Sequence, residues 1–143
     1  IVDSNESISH QAELLKSVPG VGDKLSVNMI VITEGFTRFR DARQFNCYAG
    51  LAPFQYSSGK SIHSKAKVSQ RANKHIKGLL HLCAVCVSTH ALSGEYRDYY
   101  ERRKAEGKLP MCILNIIRAK IVARMFSVIR RDTPYKKEYS YAG

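Results

Sequence analysis

The chain has 143 residues, 44% of them hydrophobic, and sets 23 Lys and Arg against 12 Asp and Glu for a formal charge of +11. That length and apolar content suit one compact domain burying roughly two-thirds of its unfolded surface, and the charge calls for an anionic partner. No signal-peptide pattern and no apolar stretch of bilayer length is present, which makes an excised cytoplasmic fragment the expectation.

Residues 1–11 read as a connector from a separate N-terminal domain, since the first eight are polar with isolated Ile and Val. From Ser9 the pattern becomes helical through Ala12, Leu14 and Leu15, and it must stop near Pro19 because proline disfavours helical geometry before it. Pro19-Gly20-Val21-Gly22 is a turn, and Asp23 is placed to cap a second helix running to about Gly35. A shorter helix spans about Asp41 to Tyr48, with Phe45 and Tyr48 on one face and Gly50 ending it. Leu51 to Val68 lacks helical period and reads as a long loop, with room for a brief hairpin at Ser58-Gly59. Loops beyond about 12 to 15 residues in a compact domain are usually functional or disordered, and the aromatics and lysines here favour function. Ser69 is the expected N-cap of the central core helix, which reaches about Leu92. Ser93 caps a charged, tyrosine-rich helix to Gly107, and Pro110 opens a final helix to residue 131. In that last helix Ile113, Ile117, Ile121 and Met125 recur at helical spacing with Arg118, Lys120 and Arg124 between them. The expected fold is all-α, a helical domain over residues 12–131 with a polar tail over 132–143.

Three features bear on chemistry. The first is Val18-Pro19-Gly20-Val21-Gly22 before a helix, which is similar to a helix-hairpin-helix motif. There Gly20 and Gly22 would let backbone N–H groups reach a phosphate at a helix N-terminus, though the same glycines also suit a plain turn. The second is a stretch from Asp41 to Glu95 without one acidic residue between them, holding Arg43, Lys60, Lys65, Lys67, Arg71, Lys74 and Lys77. Such a run concentrates polyphosphate. Its Ser57-Ser58-Gly59-Lys60 turn carries hydroxyls that need a base, a metal or cations before they act as nucleophiles. The third is Cys83-Ala84-Val85-Cys86 with His81 and His90 nearby, a spacing known for zinc and redox sites. A zinc site wants a second matched ligand pair, and the apolar surroundings favour reduced, buried thiols instead.

The ordered set Val18-Pro19-Gly20-Val21-Gly22, Phe39, Phe45, Tyr48-Ala49-Gly50-Leu51-Ala52-Pro53, Ser58-Gly59 and Ser69-Gln70-Arg71-Ala72-Asn73-Lys74 resembles the C-terminal domain of one insertion-sequence transposase family that includes the Piv-type DNA invertases. The resemblance implies a recombinase whose missing N-terminal part is RuvC-like and holds Mg²⁺ on four acidic residues, with no cofactor in this chain. It implies that Ser58 attacks a phosphodiester to form a phosphoserine, and that a structured guide RNA and further copies of the protein join DNA as partners. Gly20, Gly22, Lys60, Lys65, Lys67, Arg71, Asn73, Lys74 and Lys77 become the candidate nucleic-acid contacts, with no membrane role. Ala72 stands where the family usually has glycine, and Lys77 where it has arginine. A helix-hairpin-helix DNA-binding module without chemistry is the competing expectation, and a helical interaction domain built on the Tyr96 to Tyr100 helix is a third.

Overall fold

A computed structural model describes residues 2–50, 70–89 and 94–136, and the side chains of all of these except 2–5 and 70–73. Six helices account for most of them: α1 (Val2–Lys16), α2 (Asp23–Ile32), α3 (Ala42–Ala49), α4 (Gln70–Thr89), α5 (Gly94–Ala105) and α6 (Pro110–Arg131). The described residues contain no strand. No single described helix is long and apolar enough to cross a membrane. The loop expected between Leu51 and Val68, with Ser58, lies outside the described residues, as do the expected caps Ser69 and Ser93.

Helix α1 starts seven residues ahead of Ser9, where apolar periodicity begins. Glu6 to His10 are exposed, so no apolar face marks them. Once Leu14 and Leu15 are packed, each further residue adds a backbone hydrogen bond without a new nucleus. Asp23 is not the cap of α2: Gly22 takes that position without a side-chain hydrogen bond, and Asp23 instead sits 2.8 Å from Lys16. At α3 the expected signals do operate. Asp41 accepts a hydrogen bond from the Gln44 N–H at 3.0 Å, and Gly50 closes the helix at φ 74°.

Between α2 and α3 the chain takes left-handed geometry three times running, at Glu34 (φ 53°), Gly35 (φ 70°) and Phe36 (φ 68°). Left-handed geometry costs a non-glycine residue roughly 1–2 kcal/mol. Buried Thr33 holds the reversal together. Its hydroxyl donates to the Met29 carbonyl at 2.6 Å and accepts from the Phe36 N–H at 2.9 Å, while its own carbonyl accepts from the Thr37 and Arg38 N–H groups. The turn places Phe36 edge-on to Phe126, 4.9 Å between centroids. Phe45, fully buried, then lies 5.3 Å from Phe39 and 5.9 Å from Phe126, which fastens α3 to α6.

Helices α4 and α6 form the central pair. Helices α1, α3 and α5 also pack on α6, and α2, α3 and α5 on α4. Ile76, Leu80, Ile117 and Ile121 have no exposed surface, and burial of each contributes on the order of 2 kcal/mol. Two arginines share the buried surface of α6. Arg118 is 4% exposed and donates to Asn115 Oδ1 at 2.6 Å, and burial alone lowers its affinity for the proton. Arg124 grips both carboxylate oxygens of Glu95 on α5, at 2.6 and 3.2 Å, and lies over the Tyr96 and Tyr135 rings.

The polar tail expected from residue 132 begins as a docked turn. Asp132 closes α6 at φ 57° and meets His10 at 2.6 Å, and the Tyr135 N–H donates to Ser17 Oγ at 2.8 Å. The thiols also depart from expectation, because only Cys83 is buried while Cys47, Cys86 and Cys112 are exposed.

The Arg124 hydrogen bond, aided by the charges of Arg124 and Lys120 and by the Tyr135 hydroxyl, holds the Glu95 carboxyl below its ordinary value against the opposing effect of burial. A lowered carboxylate value adds stability that is fully present above the ordinary glutamate range and is lost as the pH falls through the lowered value. Glu95→Gln is therefore expected to lower stability by about 1–3 kcal/mol near neutral pH. In thermal melts the gap between variant and parent should close in acid. A gap that persists unchanged at acid pH would mean that the pair contributes by packing and not by charge.

Candidate nucleic-acid interface

The α1–α2 turn is built from Val18 and Val21, whose side chains are buried and whose backbones are joined by a 3.1 Å hydrogen bond from the Val21 N–H to the Val18 carbonyl. Gly20 sits between them at φ 92°. A Cβ there would collide with Val87 Cγ1 and stand 3.0 Å from Cys83 Sγ, both on α4. The Cys83 thiol donates to the Gly20 carbonyl at 3.0 Å, and burial, with a smaller effect of Cys86, pushes its pKa up to about 12. Cys83 is thus a neutral donor that ties the turn to α4. Gly20 serves that close approach whatever else its exposed backbone meets.

Gly22 is different. Its backbone is extended, at φ −106° and ψ −168°, and nothing lies within 4 Å of the place a Cβ would take. With no side chain capping α2, the N–H groups of the first turn remain available to an anion. Asp23 at the same end opposes an anion, and its ion pair with Lys16 offsets that charge.

Helix α4 carries the other candidates that can be placed. Lys74 and Lys77 are exposed in its N-terminal half. Lys77 Nζ lies 3.6 Å from where a Cβ of Gly50 would be, at the C-terminus of α3, where the helix dipole favours a cation. The serine-bearing segment leaves from Gly50, so Lys77 stands at its root. Arg38 lies nearby in the fold, its guanidinium 4.8 Å from the Tyr48 ring and 5.2 Å from that of Phe39.

These groups do not share one face. Lys74 projects from α4 about half a turn around the axis from Cys83, where the turn docks, and some nine residues away along it. The glycine turn and Lys74 are therefore separate contacts. Arg71 and Asn73 lie on α4 without described side chains, and Ser58, Lys60, Lys65 and Lys67 lie outside the described residues. Among the described residues no three His, Cys, Asp or Glu side chains gather as metal ligands would.

Sequence reading placed Arg118 and Arg124 merely between apolar positions and missed their burial. The signal was there: Arg118 follows Leu114 by four residues, and Arg124 precedes Val128 by four, which puts both on the apolar stripe. Thr33 and Arg38 had no comparable signal, because their roles arise from a left-handed turn that no periodicity marks.

The profile described as the transposase IS116/IS110/IS902 family matches residues 12–101. The pilin gene-inverting protein of Moraxella bovis is 28% identical over 137 residues, which is 96% of this chain and 42% of that protein. An insertion element IS110 protein of 43.6 kDa from Streptomyces coelicolor is 34% identical over 125 residues, 86% of this chain and 30% of its own length. An insertion element IS116 protein of 44.8 kDa from Streptomyces clavuligerus is 29% identical over 112 residues, 78% of this chain and 27% of that one. The chain spans less than half the length of these curated relatives.

The two glycines are expected to behave differently. Gly20→Ala places a Cβ against Val87 in left-handed geometry and should destabilise the fold by about 2 kcal/mol or more, measured by urea unfolding. Gly22→Ala should stay within about 1 kcal/mol of the parent. Equal, small effects at both positions would contradict the close approach of the turn to α4.

Proposed function

Because the chain belongs to the transposase IS116/IS110/IS902 family, we propose that it is the DNA-binding and serine-nucleophile part of a longer insertion-sequence recombinase. Family membership carries this reading, and the likeness to a protein named for inverting a pilin gene agrees with it. In the proposed reaction Ser58 Oγ attacks a backbone phosphorus, its proton passes to a base, and the bond to one strand breaks to leave a free hydroxyl. The phosphoserine ester retains the energy of the broken linkage, so a strand hydroxyl can attack it and restore both DNA and serine without a nucleotide cofactor. Cations beside the serine would stabilise the charge on the pentavalent phosphorus. Lys77, exposed beside Gly50 where the described chain stops, is a candidate for that role.

Mg²⁺ belongs in this proposal to a RuvC-like part outside the chain, where it would stabilise the nonbridging oxygens. The described residues here do not fit such a site. A structured guide RNA and an oligomer of the full-length protein complete the proposal, and the present chain alone would bind nucleic acid without recombining it. The first turn of α2 would hold a backbone phosphate in the manner of a helix-hairpin-helix, with Gly22 at the contact.

Two outcomes are expected. If about five of Lys60, Lys65, Lys67, Arg71, Lys74 and Lys77 meet phosphates, the logarithm of the DNA association constant should fall with log salt at a slope of about −4 to −5. A slope near zero would remove the nucleic-acid reading. In the full-length protein with its RNA and Mg²⁺, Ser58→Ala should abolish strand transfer and any covalent protein–DNA adduct, with DNA binding little changed. Ser57→Ala and Ser61→Ala should remain active. Adduct formation by Ser58→Ala with loss of activity in Ser57→Ala would move the nucleophile to Ser57, and full activity in all three variants would leave a DNA-binding module without this chemistry as the better reading.

A further inference from the structure

The turn into α3 and the helix itself carry Arg38, Arg40 and Arg43, and over residues 37–48 Asp41 is the one acid set against them. All three arginines are exposed, and none forms an ion pair among the described residues, with Asp41 or with the preceding Glu34. Asp41 caps the opposite end of α3 from Tyr48, accepting the Gln44 N–H. Arg38 differs from the other two arginines in being held in place. Its guanidinium lies 4.8 Å from the Tyr48 ring and 5.2 Å from that of Phe39, and Nη1 donates to the Ile32 carbonyl at 3.3 Å. The rings are themselves anchored: Phe39 is buried, edge-on to the fully buried Phe45 at 5.3 Å, and 5.1 Å from Tyr48. Contact with a ring occupies the face of a guanidinium and leaves the N–H groups at its edge, of which one is spent on Ile32. An arginine already placed in this way gives up less side-chain freedom on binding than a mobile one. Tyr48 lies in the last turn of α3, and Lys77 Nζ stands beside Gly50, which closes that turn. Arg38 and Lys77 thus meet the same end of α3 from two different elements.

We propose that Arg38 is a pre-ordered backbone contact for DNA, holding a phosphate at the end of α3 where Lys77 also stands. The inference rests on the nucleic-acid reading above and adds to it a residue outside the basic stretch that supplied its candidates. A phosphate suits this group because two edge N–H groups of a guanidinium can bind two of its oxygens at once, which a lysine cannot do. Neutralising a phosphate releases condensed counterions, so the charge of Arg38 enters the salt dependence of binding. The Tyr48 ring enters only by keeping the guanidinium in place. Charge and placement are therefore separable by substitution.

The probe is a mixed-sequence DNA duplex, titrated into the chain over a series of salt concentrations. Arg38→Gln should lower affinity about tenfold at low salt and make the slope of log K against log salt shallower by about 0.9. Arg38→Lys should keep the parent slope but not the parent affinity. Tyr48→Leu leaves every charge in place, so it should lose affinity about two- to fivefold at an unchanged slope. Arg97 is exposed on α5, which packs on α4 and α6 and not on α3, and Arg97→Gln is the control expected to move neither quantity. Thermal melts accompany each variant, because Arg38 also ties the turn to Ile32 of α2. Should Arg38→Gln fail to fold, Arg38→Lys and Tyr48→Leu carry the test, and parent affinity in both overturns the proposal. A folded Arg38→Gln with unchanged affinity and slope overturns it too, makes Arg38 a clamp for the turn alone, and leaves the wider reading intact. An equal change of slope in Arg97→Gln overturns it in favour of a diffuse positive field. A loss seen with an RNA hairpin and not with the duplex overturns the assignment to DNA. A parent chain that binds neither nucleic acid overturns this proposal together with the reading beneath it.

Discussion

Helix α6 packs against α1, α3, α4 and α5, and a helix enclosed on that many sides has to accommodate every charge it carries. Arg124 does so by a two-point grip on Glu95, reinforced by two tyrosine rings. An uncompensated charge in that position would be strongly destabilising. The pair therefore fixes where α5 lies. The Tyr135 hydroxyl also approaches Glu95, at 3.4 Å, and the backbone of the same residue is held by Ser17 at the end of α1. One ion pair thus connects α5, α6, the start of the tail and the first helix.

The α1–α2 turn is governed by close approach. Gly20 allows the α1–α2 turn to press against Val87, and the Cys83 thiol spends its proton on the Gly20 carbonyl. Such a contact makes the turn a fixed part of the core surface, and α2 with it. A helix N-terminus held rigidly suits a phosphate better than one that must be ordered on binding, since less conformational freedom is lost in the complex. Packing and recognition at this turn are therefore compatible, with Gly20 facing α4 and Gly22 facing outward.

Charge is distributed by the same logic of enclosure. Lysines in the N-terminal half of α4 stay exposed, while Arg118 and Arg124 of α6 are drawn inward and Lys120 is partly desolvated.

The family, the all-helical class and most helix positions follow from local features of the sequence. Apolar residues at three- and four-residue spacing, Asp41 and Pro110 at helix starts and Gly50 at a helix end each act within a turn or two of chain, so a reader of the sequence meets their whole cause in one place. The order of the glycine turn, the serine segment and the basic helix start is likewise a linear property, and it marked the transposase resemblance. Only the tertiary structure decided which polar groups became internal. Gly20 and Val87 are 67 residues apart, and Glu95 and Arg124 are 29 apart, so the meaning of each depends on a partner that proximity in sequence cannot supply. The left-handed run at Glu34 to Phe36 was invisible for a related reason: its strain is offset by the distant Phe126 together with the burial that lets the local hydrogen bonds of Thr33 hold the turn.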